Sequence, residues 1–149
     1  LASISLVFSS HTFGMFAFSV LSGWLTDSWG RRPVLLVGAV VLLTSCLLAP
    51  LSPRVVSIAF ALFLLGLGWN LCYVAGSALL SDVLSSAEKG RMQGFNDLLV
   101  GGAAASAAML GGLVMATSGY TTMGLLGALV SAPLLVIGWR LPRGAAAPA

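Results

Sequence analysis

The sequence predicts an all-α integral membrane protein, for two reasons. Hydrophobic residues make up 58% of the 149-residue chain and charged residues only 7%, whereas a soluble domain carries about 25% charged residues. The apolar residues also form long runs that short polar segments separate, and about 20 apolar residues are enough for one helix to cross a bilayer. A water-exposed surface could not be built from this composition, so the chain is expected to lie in the lipid bilayer.

Five of these apolar runs can cross the membrane, and each must be helical there because lipid offers the backbone no hydrogen-bond partner. The five predicted transmembrane helices cover residues 6–25, 33–51, 55–80, 98–115 and 123–139. Together they would form one bundle over residues 1–143, and the Ala-rich residues 144–149 would be a disordered tail. Pro33 begins the second helix, and Pro133 should bend the fifth.

The longest polar stretch precedes the fourth predicted helix. Ser85 and Glu88 have the spacing of a capping box, so a short helix is predicted to begin near Ser86. Gly90 and Gly94 should weaken this short helix or separate it from the transmembrane helix that follows, because glycine lowers helix stability.

The distribution of charge predicts the orientation. Six cations lie on one side of the predicted membrane, namely Arg31, Arg32, Lys89, Arg91, Arg140 and Arg143. Only Arg54 lies on the other side, so the positive-inside rule places the C-terminus in the cytoplasm and the N-terminus outside. The acidic residues are expected near the same cytoplasmic face, namely Asp27, Asp82, Glu88 and Asp97. An odd number of spans that begins at Leu1, without a signal-peptide pattern, indicates a piece of a longer protein.

The most concentrated group of charges is the block at residues 23–32. Asp27 would lie at the C-terminal end of the first helix, where the helix dipole disfavours an anion. It therefore needs a partner, either a nearby arginine or the N-terminus of another helix. Gly30 allows a backbone turn that other residues rarely adopt. The alternative interpretation is an ordinary interfacial loop whose arginines bind lipid headgroups.

This block resembles motif A of the major facilitator superfamily of transporters. The matching positions are Gly23, Leu25, Asp27, Gly30, Arg31 and Arg32. The family usually has Arg or Lys where this chain has Ser28, so we expect Asp27 to face a helix terminus outside this chain rather than a cation at the adjacent position. Residues 11–16, 66–70 and 93–97 resemble the carboxyl-terminal half of bacterial members. The resemblance implies helices eight to twelve of that fold, a C-terminal bundle without its first helix, in a bacterial inner membrane.

The resemblance also implies that the third helix of this chain lines the central substrate cavity. The candidate substrate contacts on it are Trp69, Asn70, Tyr73 and Ser77. An amide inside the membrane must be paired or face a polar cavity, so an interhelical hydrogen bond from Asn70 is an equal alternative. The fourth helix has small residues at helical spacing, which is typical of close helix packing. These residues are Gly101, Ala105, Ala108 and Gly112.

His11 is the only histidine of the chain, and its titration near neutral pH makes it a candidate for proton coupling. A structural hydrogen bond is the alternative that we favour. Because the four acidic residues are all expected near the cytoplasmic face, the main protonated carboxylate of a proton-driven transporter would reside outside this chain.

No group of residues supports catalysis, so we do not expect an enzyme, a cofactor, a metal site or a nucleic-acid partner. Cys46 and Cys72 lie in apolar runs and are interpreted as small buried residues. The sequence predicts secondary active transport of a small solute by alternating access, with or without proton coupling. The bilayer and the missing N-terminal half of the transporter would be the partners. The alternative is a non-transporting membrane fragment or scaffold that pairs with another helical half.

Overall fold

The computed structural model describes residues 2–142, which form five α-helices and one 3-10 turn, with no strand in that range. The helices are α1 (Ala2–Phe16), α2 (Ser19–Ser28), α3 (Arg31–Leu48), α4 (Val55–Asp82) and α5 (Ser86–Arg140), and the 3-10 turn Ala49–Leu51 extends α3. The predicted disordered tail 144–149 and the predicted cytoplasmic residue Arg143 lie outside the described residues.

Four helical stretches are long and apolar enough to cross a membrane, which agrees with the predicted all-α membrane fold. They are Ala2–Ser28, Arg31–Leu51, Val55–Asp82 and Ser86–Arg140. The first of them is interrupted at residues 17–18, between α1 and α2. The fourth and fifth predicted spans both lie within α5, whose 55 residues are far more than one bilayer crossing needs.

A single glycine divides α5 into two arms. Gly119 has φ 77° and ψ −179°, the one non-helical conformation inside this helix, and a positive φ is readily adopted only by glycine. A Cβ atom at Gly111 would lie 3.2 Å from Cε of Met123, so the chain folds back on itself at this point. We call residues 86–118 the first arm and residues 120–140 the second arm.

The prediction that Gly90 and Gly94 separate a short helix from the fourth span is wrong, because α5 runs through both without a break. The predicted start is confirmed: Ser85 caps α5, and Ser85 and Glu88 form the reciprocal capping box. A glycine costs a helix about 1 kcal/mol relative to alanine, which weakens a long helix without ending it. Pro133 lies inside the second arm, where the backbone keeps helical dihedral angles.

α4 is the central helix of the bundle. It runs parallel to α1, because Gly14 contacts Phe63 and Met15 contacts Asn70. It runs antiparallel to α3, whose Ser45 hydroxyl donates to the Ala61 carbonyl oxygen at 2.8 Å. The second arm of α5 packs antiparallel against α3, because Gly124 approaches Cys46 while Gly138 approaches Leu35.

Glycines bring these helices into backbone contact. A Cβ atom at Gly14 would overlap the Phe63 carbonyl oxygen, and a Cβ atom at Gly66 would overlap the His11 carbonyl oxygen. Between α3 and α4, a Cβ atom at Gly68 would lie 3.0 Å from the Gly38 carbonyl oxygen. Small residues are the usual means by which membrane helices approach closely, so α1, α4 and α3 form one tightly packed layer.

The buried apolar core lies between α3 and α4, below the charged end of the bundle. Its buried members are Val34, Leu35, Leu71 and Ala75, and the partly buried Leu25, Leu67, Leu79 and Leu141 pack against them. Since this core includes the first turn of α3, it holds in place the two arginines that begin that helix.

Candidate functional site

The charged end of the bundle is built where the N-terminus of α3 meets the C-termini of three other helices. Gly30 adopts φ 92° and ψ 161°, which turns the chain from α2 directly into α3. Arg31 and Arg32 are therefore the first two residues of α3. Arginines at a helix N-terminus are disfavoured by their own helix dipole, so the contacts that they make elsewhere must offset this.

Arg31 links the ends of α2 and α4. Its Nη1 donates to the Asp27 carboxylate at 3.1 Å and to the Thr26 carbonyl oxygen at 3.0 Å. Its Nε and Nη2 donate to the two carboxylate oxygens of Asp82, at 3.0 and 3.4 Å. The Arg31 side chain is 19% exposed, compared with 75% for Asp27 and 50% for Asp82. One guanidinium thus binds two carboxylates and one helix terminus, using the planar arrangement of donors particular to arginine.

This geometry gives Asp27 a partner within the chain, and its expected contact with a helix terminus outside the chain stays a prediction. Asp27 pairs with Arg31, four residues further along, so the missing cation at the adjacent position does not leave it unpaired. The hydroxyl of Ser28 instead donates to the Trp24 carbonyl oxygen at 2.7 Å. Sequence reasoning also missed Asp82 as a member of the cluster. Its position at the end of α4 was visible, but its contact with α3 depends on how the helices pack.

Arg32 makes equivalent contacts with the end of α5. Its Nε and Nη2 donate to the carbonyl oxygens of Gly138 and Trp139, at 3.1 and 2.8 Å. The guanidinium carbon also lies 5.7 Å from the centre of the Trp139 ring, within the range of a cation–π interaction. A cation at the last carbonyls of a helix is favourable because those carbonyls have no partner within the helix. The two adjacent arginines therefore connect all four helix ends.

Two other motif positions differ in their surroundings. Leu25 packs against the α3–α4 core. At Gly23, a Cβ atom would meet nothing within 4 Å among the described residues. The surface of α2 around Gly23 is thus open in this part of the protein.

Three of the four candidate cavity residues line one cleft. Trp69, Tyr73 and Ser77 lie on α4, facing Asn96 and Val100 of the first arm of α5, and the cleft has a volume of about 280 Å³. The remaining lining residues are Leu42, Cys72, Gly76 and Leu134. The rings of Trp69 and Tyr73 stack with their centres 4.8 Å apart and their planes 9° apart. The cleft thus combines an aromatic wall with hydroxyl and amide groups.

Asn70 is separated from this cleft and faces α1 and α2 instead. Its Nδ2 donates to the Met15 carbonyl oxygen at 2.7 Å and to the Ser19 hydroxyl at 3.0 Å, and its Oδ1 accepts a hydrogen bond from Ser22. Met15 lies in the last turn of α1, where carbonyl groups lack a helical partner. Asn70 is only 2% exposed. Of the two alternatives for Asn70, this structure has the interhelical hydrogen bond.

Asp97 of the first arm contacts Tyr73 of α4, which the sequence did not predict. The Tyr73 hydroxyl donates to Oδ1 of Asp97 at 2.6 Å. Tyr73 precedes the charged end of α4 by nine residues, which is about 13 Å along a helix that rises about 1.5 Å per residue. Asp97 is thus separated along α4 from the acids that bind Arg31. Its expected position near the cytoplasmic face stays a prediction.

His11 makes a structural contact between helices. Its Nδ1 lies 3.1 Å from the carbonyl oxygen of Leu62 on α4, and because a carbonyl can only accept, Nδ1 carries the hydrogen. This is the structural hydrogen bond that we favoured for His11.

The small-residue stripe on the first arm has no packing partner in the described part of the chain. All four of its residues are exposed, namely Gly101, Ala105, Ala108 and Gly112. Cβ atoms at Gly101 and Gly112 would meet nothing within 4 Å. In residues 2–142 the structure also shows no cluster of three or more potential metal ligands, and Cys46 and Cys72 are free thiols.

Comparison with known proteins gives consistent matches along the whole chain. The family model of the Major Facilitator Superfamily matches residues 1–149. The uncharacterized MFS-type transporter YdeG of Bacillus subtilis is 32% identical over 146 residues, which is 96% of this chain and 34% of that protein. The riboflavin transporter RfnT of Brucella anthropi is 35% identical over 144 residues, 93% of this chain and 35% of that protein.

A more distant relative is the multidrug resistance protein MdtL of Vibrio parahaemolyticus, which is 28% identical over 87% of this chain and 34% of its own length. No significant match to a solved structure was found. The chain spans about a third of the length of these relatives. The family match over all residues, the apolar helices and the motif between α2 and α3 agree, and the chain belongs to the Major Facilitator Superfamily of multi-pass membrane transporters.

Proposed function

We propose that this chain is the carboxyl-terminal part, helices eight to twelve, of a secondary transporter that moves a small solute by alternating access. The observation that carries the proposal is the position of Arg31, which binds Asp27, Asp82 and the end of α2 together at one end of the bundle. Alternating access moves helical bundles against each other around a central site, so it needs contacts at the bundle ends that form in one state and break in another.

The exposure of this charged cluster suits such a role. Asp27 is three-quarters exposed although it is paired, and the open surface at Gly23 lies one turn before it on the same helix. A partner helix could approach this surface without a steric clash. We assign the matched motif residues to a cytoplasmic gate, with the C-terminus of the chain in the cytoplasm and its N-terminal end outside. These residues are Gly23, Leu25, Asp27, Gly30, Arg31 and Arg32.

For the solute, we propose the cleft lined by Trp69, Tyr73 and Ser77 as this chain's contribution to the binding site. Two stacked aromatic rings beside polar groups suit a flat organic molecule better than a small ion, since aromatic stacking needs a planar partner. The naming of one relative as a riboflavin transporter and another as a multidrug resistance protein agrees with organic solutes in general. The other transporter half would complete the site.

The gate assignment is tested by Asp27→Asn in the complete protein that contains this chain. This change keeps the size of the side chain and removes the charge that pairs with Arg31, so the state stabilised by the cluster is weakened. We expect the transport rate to fall up to about fivefold, since an exposed ion pair contributes up to about 1 kcal/mol to the balance between two states.

The matched control is Glu88→Gln, which neutralises an exposed acid outside the cluster and should leave transport unchanged. Membrane insertion, measured by quantitative blotting of the membrane fraction, should be normal for both variants. Wild-type transport in the Asp27→Asn variant would refute the gate assignment.

A further inference from the structure

We propose that the interruption at residues 17–18 is a hinge that couples the cleft to the charged cluster, with Asn70 as the residue that positions α2. A hinge with this role rests on the proposed transport function and adds a link between the solute site and the gate. Three sets of contacts support it: those that fix α1, those that hold α2, and the one that joins the hinge to the cleft.

At the interruption, side chains supply hydrogen bonds to the carbonyl groups that end α1. The Met15 carbonyl oxygen accepts a hydrogen bond from Nδ2 of Asn70 at 2.7 Å, and the Phe16 carbonyl oxygen accepts one from the Ser19 hydroxyl at 2.9 Å. Residues 15–19 contain neither proline nor glycine, so the break is attributed to the amide that enters the helical hydrogen-bond ladder. Helix ends of this kind are a usual place for a hinge.

On one side of the hinge, α1 is fixed to α4 by backbone contact. Cβ atoms at Gly14 and Gly66 would overlap carbonyl oxygens of the facing helix, those of Phe63 and His11. The ring of Phe18, inside the interruption, lies 6.0 Å from the ring of Phe63, so the pivot is also attached to α4. Helices in such close contact cannot tilt apart without losing their packing. α1 and α4 therefore form one body up to the hinge.

On the other side of the hinge, α2 is held mainly by polar contacts. Its two buried residues are Ser22 and Thr26. The Ser22 hydroxyl donates to Oδ1 of Asn70, and the Thr26 hydroxyl donates to the Ser22 carbonyl oxygen at 2.7 Å. The Thr26 carbonyl oxygen in turn accepts a hydrogen bond from Arg31, while Leu25 adds an apolar contact with the α3–α4 core. Hydrogen bonds between membrane helices are individually weak, so α2 can move while α1 stays in place.

One aromatic contact joins the hinge to the cleft. The ring of Trp69, which stacks on Tyr73 in the cleft, lies 6.4 Å from the ring of Phe16 at an angle of 66°. Phe16 is the last residue of α1 and immediately precedes the interruption. Asn70 follows Trp69 in the chain and binds the hinge directly. A solute that moves the Trp69 ring therefore acts on the residue next to the hinge.

The Met15 carbonyl oxygen has two available donors, and these define the two states of the hinge. In this structure it binds the amide of Asn70. In a continuous helix it would instead accept the backbone N–H of Ser19, four residues further along. That arrangement removes the break, releases Ser19 from Asn70 and changes the direction of α2. Because α2 carries Asp27 at its other end, its movement alters the charged cluster. Coupling between two sites requires an element of this kind, whose equilibrium both sites bias.

The proposal is tested by pulsed electron paramagnetic resonance on the complete protein in lipid nanodiscs, which measures distances between two spin labels. One label pair joins α2 to α4, at the exposed Val20 and Val56. The other pair joins α1 to the end of α4, at the exposed Ile4 and Val83. The labels are attached to cysteines introduced at these positions after alanine has replaced the native cysteines. No solute needs to be known for this measurement.

Asn70→Leu removes the side-chain donor from the Met15 carbonyl oxygen. We expect the α2–α4 distances to shift by several ångströms to a second population, while the α1–α4 distances stay unchanged. Ser22→Ala removes one hydrogen bond to Asn70 and should populate the same second distance to a smaller extent. The matched control is Ser45→Ala, which removes a hydrogen bond of another buried serine, between α3 and α4. It should leave both sets of distances unchanged.

The link to the cleft is tested with the α2–α4 label pair in Trp69→Leu, which removes the ring that contacts Phe16. The balance between the two α2–α4 distances should shift, and an unchanged balance would overturn the link.

Unchanged α2–α4 distances in Asn70→Leu and Ser22→Ala would overturn the hinge, and so would equal shifts in both label pairs. Ser22→Ala keeps the test decisive if Asn70→Leu does not fold. Because this readout is a conformation, its failure leaves the gate assignment standing. Normal transport by Asp27→Asn would likewise leave the measured hinge movement standing.

Discussion

The layer formed by α1, α4 and α3 and the first arm of α5 are both rich in glycine and alanine, but only the former is packed. In the layer, Gly14, Gly66, Gly38 and Gly68 are points where helix backbones touch. In the first arm, Gly101, Gly102 and Gly112 face open space. In the most apolar 18-residue segment of α3 and of α4, 33% of the residues are buried, whereas in that of α5 the buried share is 0%.

This difference shows that a small-residue stripe indicates suitability for close packing without identifying the partner. The bilayer supplies no hydrophobic driving force between helices, so a stripe stays exposed unless a complementary backbone surface is within reach. For α1 that surface is α4. For the first arm we propose that it lies in the rest of the transporter. The predictions below test how far the two regions differ.

The largest effect is expected from a side chain added inside the packed layer. Gly14→Leu would place atoms where the Phe63 carbonyl oxygen lies, so α1 and α4 would have to separate. We expect a loss of at least about 3 kcal/mol in the free energy of unfolding, at the upper end of the range for overpacking. Equilibrium unfolding of the chain in mixed detergent micelles, followed by circular dichroism, measures it.

The control is Gly112→Leu on the first arm, where a side chain meets open space. In this chain alone the substitution should not destabilise the fold, because leucine is a better helix former than glycine. In the complete transporter it should impair assembly if the stripe packs on the other half. Equal losses for Gly14→Leu and Gly112→Leu in the isolated chain would show that the two regions do not differ.

An intermediate effect is expected from the buried amide. Asn70→Leu removes the hydrogen bonds to Met15, Ser19 and Ser22. Hydrogen bonds between membrane helices contribute about 0.6 kcal/mol each on average, so the loss should be about 2 kcal/mol in the same unfolding experiment. Asn96→Leu is the matched control, since Asn96 lies in the first arm and makes a single long contact. A larger loss for Asn96→Leu would contradict the structural role of Asn70.

The smallest effect on stability is expected at the charged cluster. Arg31→Gln removes both ion pairs, but its carboxylate partners are at least half exposed, and such pairs contribute about 0–1 kcal/mol. The change should lower the unfolding midpoint slightly at low salt and less at high salt because salt screens exposed charges. Arg54→Gln, at the opposite end of the bundle, serves as the control. A loss as large as that of Asn70→Leu would mean that the cluster holds the fold together, rather than acting as a gate.

The sequence predicted the features that depend on local pattern. The apolar runs, the capping box at Ser85 and the turn at Gly30 could be predicted because hydrophobicity, capping and backbone conformation are properties of neighbouring residues. The family followed from ten residues of the block at 23–32. The turn at Gly119 lies in the gap that the sequence leaves between the fourth and fifth predicted helices, residues 116–122, where Gly119 is the single glycine.

The features that depend on contact between helices were decided by the tertiary structure. Asp27 pairs with Arg31, which also binds Asp82, while Asn70 faces the end of α1 instead of the cleft and Asp97 accepts a hydrogen bond from Tyr73. Each of these outcomes depends on the rotation and depth of one helix relative to another, which helical periodicity does not specify. The sequence by itself therefore determined which segments enter the membrane and the family to which they belong. Only the packing of α4 against its neighbours decided which polar groups meet, because a hydrogen bond between residues far apart in the chain requires the helices to be placed first.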